Sequence, residues 1–314
     1  DLLTSYTFDF EKALEERLEN VKKYSYPFDL NQVDKRNNLP LQEFLDIYDG
    51  KWPVIINDIV HNWQAFNWTK DFFVQQYRNA NIIMSSSVSN IFNKSSFVVP
   101  MGSFLEQIDV GKENSWLYLQ DELFLLQYPE LRKQIEDSVY TNENYFNLFP
   151  EEVRPWDCYF LWGTAHSRSS LHIDPYNWTG TNAVLTGHKR WKLILPGQDK
   201  YLSVYPDKIC GFPLDCRKYN SPIDLFADDK ETELLLNEIQ HLEVDQLPGE
   251  MLFIPTGWFH QAFNVEPTLA ISGQLMNENN FMSVLEEILK AGSLQRSDIA
   301  EDLDGLTDDP KALV

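Results

Sequence analysis

The chain has 314 residues, 43% of them hydrophobic and 14% aromatic, a globular composition large enough for one sizeable domain or two small ones. Its 48 acidic against 26 basic residues give a net charge of −22, so most of the surface repels a phosphate backbone and nucleic acid is not expected as a partner. A basic protein or peptide fits that charge better, as does solubility alone.

No stretch approaches the roughly 20 apolar residues of a membrane span, so no membrane insertion is expected. The first residues, DLLTSYTFDFEKALEERLEN, lack the basic and apolar regions of a signal peptide. Cys158, Cys210 and Cys216 lack CxxC spacing. That argues against a disulfide framework or a structural zinc and for the cytoplasm or nucleus, with the endoplasmic reticulum lumen as the alternative.

FEKALEERLENVKKY (10–24) has helical apolar spacing and Glu/Lys pairs, and predicts a surface helix. WPVIINDIV reads as a buried strand and TKDFFVQQYRNA as a helix capped by Thr69. NIIMSSSVSN and SSFVVPM read as strands, SFLEQI as a short helix and SWLYLQDE as an alternating strand. A helix opened by its proline is expected over 129–139. From Trp156 the texture changes to short strands: WDCYFLWGT, SSLHIDP, TNAVLTG, RWKLILPG, HLEVDQLPGEMLFIPTGW, HQAFNVE and TLAISGQLM. Gly, Pro and Asn turns separate them, as in an antiparallel sandwich or barrel. An insertion over about 201–242 carries a predicted helix, FADDKETELLLNEI. NNFMSVLEEILKAGSL predicts an amphipathic helix with an apolar stripe of Phe281, Val284, Leu285, Ile288 and Leu289. An acidic tail, read as disordered, follows. Three regions result: 1–145, mixed helix and strand packing on the barrel; 146–276, the barrel; and 277–314, the helix and tail.

His172 and Asp174 lie two apart on a predicted strand, whose period of two turns both to one face. In a barrel that face is the lumen. His260 follows 88 positions after His172, just past the turn PTGW. Two imidazoles and one carboxylate on converging strands leave adjacent positions open on an octahedral metal. That is the donor set of non-haem Fe(II) oxygenases, whereas zinc favours a closed tetrahedral set. A lone HxD is more often a surface turn or a satisfied core pair, so the wider pattern has to decide.

Three segments carry that pattern: WPVIINDIVHNWQAFNWTKDFFVQQY, LHIDPYNWTGTNAVLTGHKRWKLILP and LPGEMLFIPTGWFHQAFN. Together they resemble the JmjC family of 2-oxoglutarate-dependent oxygenases over most of the chain. They are most similar to its arginine-demethylase/lysyl-hydroxylase (phosphatidylserine-receptor-like) branch, where HIDP is followed at this spacing by an Asn and then by GHKRW. The resemblance implies a mainly β protein with flanking helices, built on a double-stranded β-helix (jelly-roll or cupin) barrel. It implies Fe(II) held by His172, Asp174 and His260, with 2-oxoglutarate and O2 as cosubstrates.

The same resemblance puts Asn182 and Lys189 on 2-oxoglutarate, Lys189 against its distal carboxylate. A dianion in a largely apolar barrel needs a fixed cation and hydrogen-bond donors. Tyr118 matches a tyrosine that reaches the same carboxylate. Ser169 and Ser272 stand where the family often has Thr, keeping the hydroxyl. From the residues alone, Lys189 reads as a solvated turn lysine and Tyr118 equally as core. Trp162, Trp191, Phe253 and Trp258 read as barrel packing, and His61, His166, His188 and His241 have no assigned role. Asp121 and Glu122 read equally as a basic-substrate contact or an exposed acidic loop.

The implied activity is hydroxylation of a protein side chain, lysine or arginine favoured. N-methyl demethylation and a non-catalytic scaffold are the alternatives. The lack of a Cys/His zinc module or basic tail counts against histone demethylation, and the charge counts against RNA-base modification. The resemblance also implies a homodimer through the C-terminal helix, the alternative being that its stripe packs on its own barrel.

Overall fold

The computed structural model describes residues 32–88, 94–207 and 218–291. The helix expected over 10–24, the acidic tail, Cys210 and Cys216 lie outside the described residues. The strands are β1 (Asp34–Arg36), β2 (Val54–Ile56), β3 (Asn81–Val88), β4 (Lys94–Pro100), β5 (Ser115–Asp121), β6 (Cys158–Gly163), β7 (Leu171–Ile173), β8 (Thr179–Thr186), β9 (Lys189–Ile194), β10 (Tyr205–Asp207), β11 (Lys218–Ser221), β12 (His241–Gln246), β13 (Met251–Ile254), β14 (Phe259–Asn264) and β15 (Thr268–Leu275).

They form two sheets among the described residues, in the orders β1-β2-β13-β8-β15-β6-β5-β3-β4 and β10-β11-β7-β14-β9-β12. From β6 to β9, and again from β12 to β15, each strand crosses to the sheet opposite its predecessor. This alternation winds β13-β8-β15-β6 against β7-β14-β9-β12 as the expected jelly-roll. β8 lies in the middle of its sheet and is buried almost throughout. β5 alternates between buried and exposed positions over part of its length. Trp162, Phe253 and Trp258 belong to the main core, Trp258 meeting Trp52 edge-on at 5.2 Å.

The N-terminal region does more than pack on the barrel. β2 pairs with β13 and β5 pairs with β6, so both flanks of the first barrel sheet are extended by strands from before residue 145. Without them β13 and β6 would present unpaired backbone edges. The insertion likewise joins a sheet: β11 pairs with β7, and the last of the expected inserted residues, His241 and Leu242, already belong to β12. Its helix, Lys230–Glu238, is capped by Asp229, whose carboxylate accepts from the Thr232 N–H at 2.7 Å.

Three expectations are corrected. The helix expected over 129–139 ends at Arg132, whose guanidinium donates to the Ile135 carbonyl at 2.8 Å and stabilises a turn instead. SFLEQI is split between a helix, Met101–Leu105, and a 3-10 turn, Ile108–Val110. HLEVDQLPGEMLFIPTGW holds two strands, β12 and β13, because Gly249 turns the chain at φ +92° and sends them into opposite sheets.

The C-terminal helix, Phe281–Ala291, lays Phe281, Val284, Leu285 and Ile288 on the chain's own Tyr145, Phe146, Tyr176, Trp178 and Met276. Met282 and Leu289 remain exposed, and a dimer through this helix has those two residues to form on.

Candidate metal centre

His172 and His260 are directly paired across β7 and β14, with ring centroids 4.4 Å apart. Asp174 lies one residue beyond β7, not within it, because Pro175 cannot continue the ladder and opens a 3-10 turn, Pro175–Asn177. The three side chains still converge. Asp174 Oδ1 is 3.6 Å from His172 Nε2 and 3.7 Å from His260 Nε2, and all three ligand atoms lie within 4.8 Å of one another.

Backbone carbonyls set the imidazole tautomers. His172 Nδ1 lies 2.7 Å from the Ser170 oxygen and His260 Nδ1 lies 3.0 Å from the Trp258 oxygen. A carbonyl only accepts, so each Nδ1 carries a proton and Nε2 is the ring nitrogen each imidazole turns to the centre. Burial, and then the nearby Lys218 and His260, push His172 down to about 4, which keeps it neutral. Burial opposes ionisation of Asp174, but His260 and His172 outweigh it and hold the carboxyl below its usual range. Two ring nitrogens and a carboxylate oxygen therefore face one point. A divalent cation resolves that arrangement, and its donor types suit iron. Gly180 in β8 makes room for the Asp174 carboxylate, since a Cβ there would overlap Asp174 Oδ2.

The three side chains open onto a cavity of about 410 Å³, within the ~300–1,000 Å³ range of small-ligand sites. Four of the five residues expected to hold a cosubstrate, Tyr118, Ser169, Asn182 and Ser272, line it. Ser169 Oγ accepts from the Ala262 N–H at 3.0 Å, which leaves its own O–H to donate. Ser272 Oγ donates to the Thr181 carbonyl at 2.8 Å. The Asn182 amide oxygen is buried without a hydrogen-bond partner among the described residues.

The fifth, Lys189, is not a turn lysine. It is the first residue of β9, 1% exposed, and it stands behind the cavity wall. Its ammonium donates to Asn264 Oδ1 at 2.9 Å and lies 5.7 Å from the Tyr118 ring centre and 5.9 Å from that of Trp191. Burial without a carboxylate partner lowers it to about 7, and burial raises the Tyr118 hydroxyl.

Asn264 was not singled out in the sequence, although HQAFN places it four after His260 on the same strand face. Gly163 permits this cluster, since a Cβ there would overlap the Asn264 amide, the Ser167 hydroxyl and the Tyr118 ring. Trp191 does more than pack: it lines the cavity, sits 6.0 Å from the His260 ring, and donates to Gln246 Oε1 at 2.7 Å. His188 and His241 pair instead with Asp245 and Glu243, and His61 and His166 lie against Phe66 and Phe263.

The profile of the cupin-like domain matches residues 40–273. Among curated proteins, the chain is 28% identical over 264 residues to the lysine-specific demethylase JMJ21 of Arabidopsis thaliana, covering 83% of this chain and 27% of that protein. It is 30% identical over 268 residues to the bifunctional arginine demethylase and lysyl-hydroxylase psr-1 of Caenorhabditis elegans, covering 81% of this chain and 63% of that protein. It is 27% identical over 233 residues to the 2-oxoglutarate and iron-dependent oxygenase JMJD4 of Gallus gallus, covering 70% of this chain and 52% of that protein. The chain thus spans between about a quarter and under two thirds of the length of these relatives.

Proposed function

The chain belongs to the cupin-like JmjC domain family, and on that premise we propose that it is an Fe(II)- and 2-oxoglutarate-dependent dioxygenase that hydroxylates a protein side chain, lysine or arginine favoured. The observation that carries the reading is the convergence of the His172, Asp174 and His260 ligand atoms on the wall of one cavity, with both imidazoles turning Nε2 to the same point. The names of relatives in Arabidopsis, Caenorhabditis and Gallus add support from outside the chain.

In this reading His172 and His260 hold the iron through Nε2 and Asp174 through its carboxylate. The bound iron supplies oxygen activation coupled to decarboxylation of 2-oxoglutarate, so that one oxygen atom enters the substrate C–H bond, the other enters succinate, and CO2 leaves. The Ser170 and Trp258 carbonyls keep the imidazoles in the ligating tautomer. Lys189, Tyr118, Asn182, Ser169 and Ser272 serve the cosubstrate. Lys189 exchanges its bond to Asn264 for the distal carboxylate, and the Tyr118 and Ser169 hydroxyls donate. Asn182 turns its amide N–H2 toward the ligand. Leu161, Trp191, Ile254 and Ala262 give the cavity apolar walls that exclude water.

The test is incubation with Fe(II), 2-oxoglutarate and candidate protein substrates, read by mass. Gain of one oxygen atom is the expected result. If the oxidised carbon is an N-methyl group, the hydroxylated product loses formaldehyde and the substrate appears one methylene lighter. No succinate and no mass change with any substrate would leave a non-catalytic scaffold. Against that scaffold stands a complete ligand set.

A further inference from the structure

Asp121 and Glu122 are neighbours at the end of β5, and the fold gives them opposite tasks. Asp121 is 3% exposed. Its carboxylate accepts from the backbone N–H of Ile83 at 3.0 Å and of Leu123 and Phe124 at 2.9 Å each. It ties β5 to β3 and starts the short helix that follows. Glu122 instead lines the cavity that holds His172, Asp174 and His260. Apart from Asp174, it is the one carboxylate on that wall among the described residues.

Glu122 forms no hydrogen bond or ion pair with another described residue. It is part-buried, and burial, with the neighbouring Asp121 charge, raises its pKa against the bond from its own backbone N–H. A carboxylate in that position is costly until a cation reaches it. The cation on the same wall, Lys218, acts on His172 and Asp174 and is not among the groups acting on Glu122. Tyr159, at the start of β6, lines the same cavity, and the charges of both Glu122 and Asp174 raise its hydroxyl.

Outside the cavity the same wall becomes an apolar ledge. Ser85 and Ser96, paired across β3 and β4, line the cavity. The next pair on that face, Ile83 and Val98, is 37% and 68% exposed. A cavity in which the Glu122 carboxylate has no ion-pair partner among the described residues thus opens onto a surface that suits the flanks of an extended peptide.

We infer that Glu122 is the specificity-determining residue of this site, receiving the cationic head of a lysine or arginine side chain while neighbouring peptide residues rest on Ile83 and Val98. The inference rests on reading this cavity as the substrate site.

The test uses the protein loaded with Mn(II) and 2-oxoglutarate. Fluorescein-labelled peptides with identical Ala/Ser flanks carry a central Lys, Arg, norleucine, Gln or Glu, and binding is followed by anisotropy at physiological salt. The parent is expected to favour Lys or Arg over norleucine by roughly tenfold or more, the scale of one charge-assisted contact. Glu122→Gln, isosteric and one charge in 22 less acidic, is expected to erase that preference. Glu122→Lys is expected to turn it toward the Glu peptide. A parent without a basic preference overturns the inference. So does a Glu122→Gln protein that melts like the parent and keeps the preference. Separate measurements of 2-oxoglutarate binding and turnover by the parent keep the two ideas apart. Basic selectivity that depends on Glu122, in a protein that neither binds nor turns over 2-oxoglutarate, sustains the inference and removes the oxygenase reading. Turnover with selectivity indifferent to Glu122 does the reverse.

Discussion

On the proposed reading, Lys189 sets stability against ligand binding within one side chain. Its ammonium is buried with an amide oxygen for a partner and no carboxylate. Burial pushes its pKa down from the ordinary 10.5 to about 7. The unfolded chain therefore binds more protons than the folded one between those values, and this group's contribution to stability rises as pH climbs from about 7 toward 10.5. Lys189→Met removes the penalty. It is expected to raise stability in urea unfolding at pH 7 by on the order of a few kcal/mol. It should also weaken 2-oxoglutarate binding roughly 30-fold or more, with metal retention unchanged. Because the anchoring form is the ammonium, binding above pH 7 should take up a proton and binding well below it should not. Calorimetry in buffers of different ionisation heat reads this directly, and proton release instead would remove Lys189 as the anchor.

Gly180 is a second residue whose smallness matters, through Asp174. Gly180→Ala should push that carboxylate off the centre and weaken Mn(II) binding by roughly 10–100-fold. An unaltered Mn(II) titration would mean that Asp174 has room to move.

At the scale of elements, the sequence shows which strands exist more clearly than where each one goes. Alternation and turn residues made most of the barrel strands readable, and Thr69 caps its helix as its position suggests, accepting from the Phe72 N–H at 3.1 Å. The converging His172, Asp174 and His260 were legible as a candidate set because HxD and the later His lie inside long patterned segments. What stayed hidden depends on partners distant in sequence. No local pattern says that β2 pairs with β13 or that β11 pairs with β7, because register is chosen by the whole sheet. Lys189 read from its local setting is a turn lysine. Only its pairing with Asn264 across β9 and β14 turns it inward. Asp121 and Glu122 were indistinguishable for the same reason.

The C-terminal helix offers a test of element packing. Ile288 is 1% exposed in the cluster built on Tyr176 and Trp178, just past Asp174 in the chain. Ile288→Ala should cost about 2–5 kcal/mol in chemical unfolding, whereas Leu289→Ala, on the exposed side, should change stability by no more than about 0.5 kcal/mol. Equal losses at the two positions would mean that Leu289 is covered in solution, as a dimer through this helix requires.

The molecule as a whole is one winding in which the chain repeatedly crosses from sheet to sheet, and this governs how it comes to exist. β7 and β14 are neighbours in space, yet the intervening chain must lay down β8 to β13, in both sheets, around them. Contacts between distant segments require loop closure before they are rewarded, so such a topology assembles slowly. His172 and His260 become a pair only when the two strands meet, so the centre is expected to be a late product of folding rather than its template. Mn(II) present from the start of refolding is therefore expected to leave the refolding rate unchanged and to slow unfolding, with Trp191, beside His260, among the emitters that report it. Faster refolding with the ion would show that the two imidazoles find each other early. If the late order holds and the centre takes iron as proposed, a newly made chain passes through a metal-free interval, and the iron supply acts on how long the finished barrel survives rather than on whether it forms.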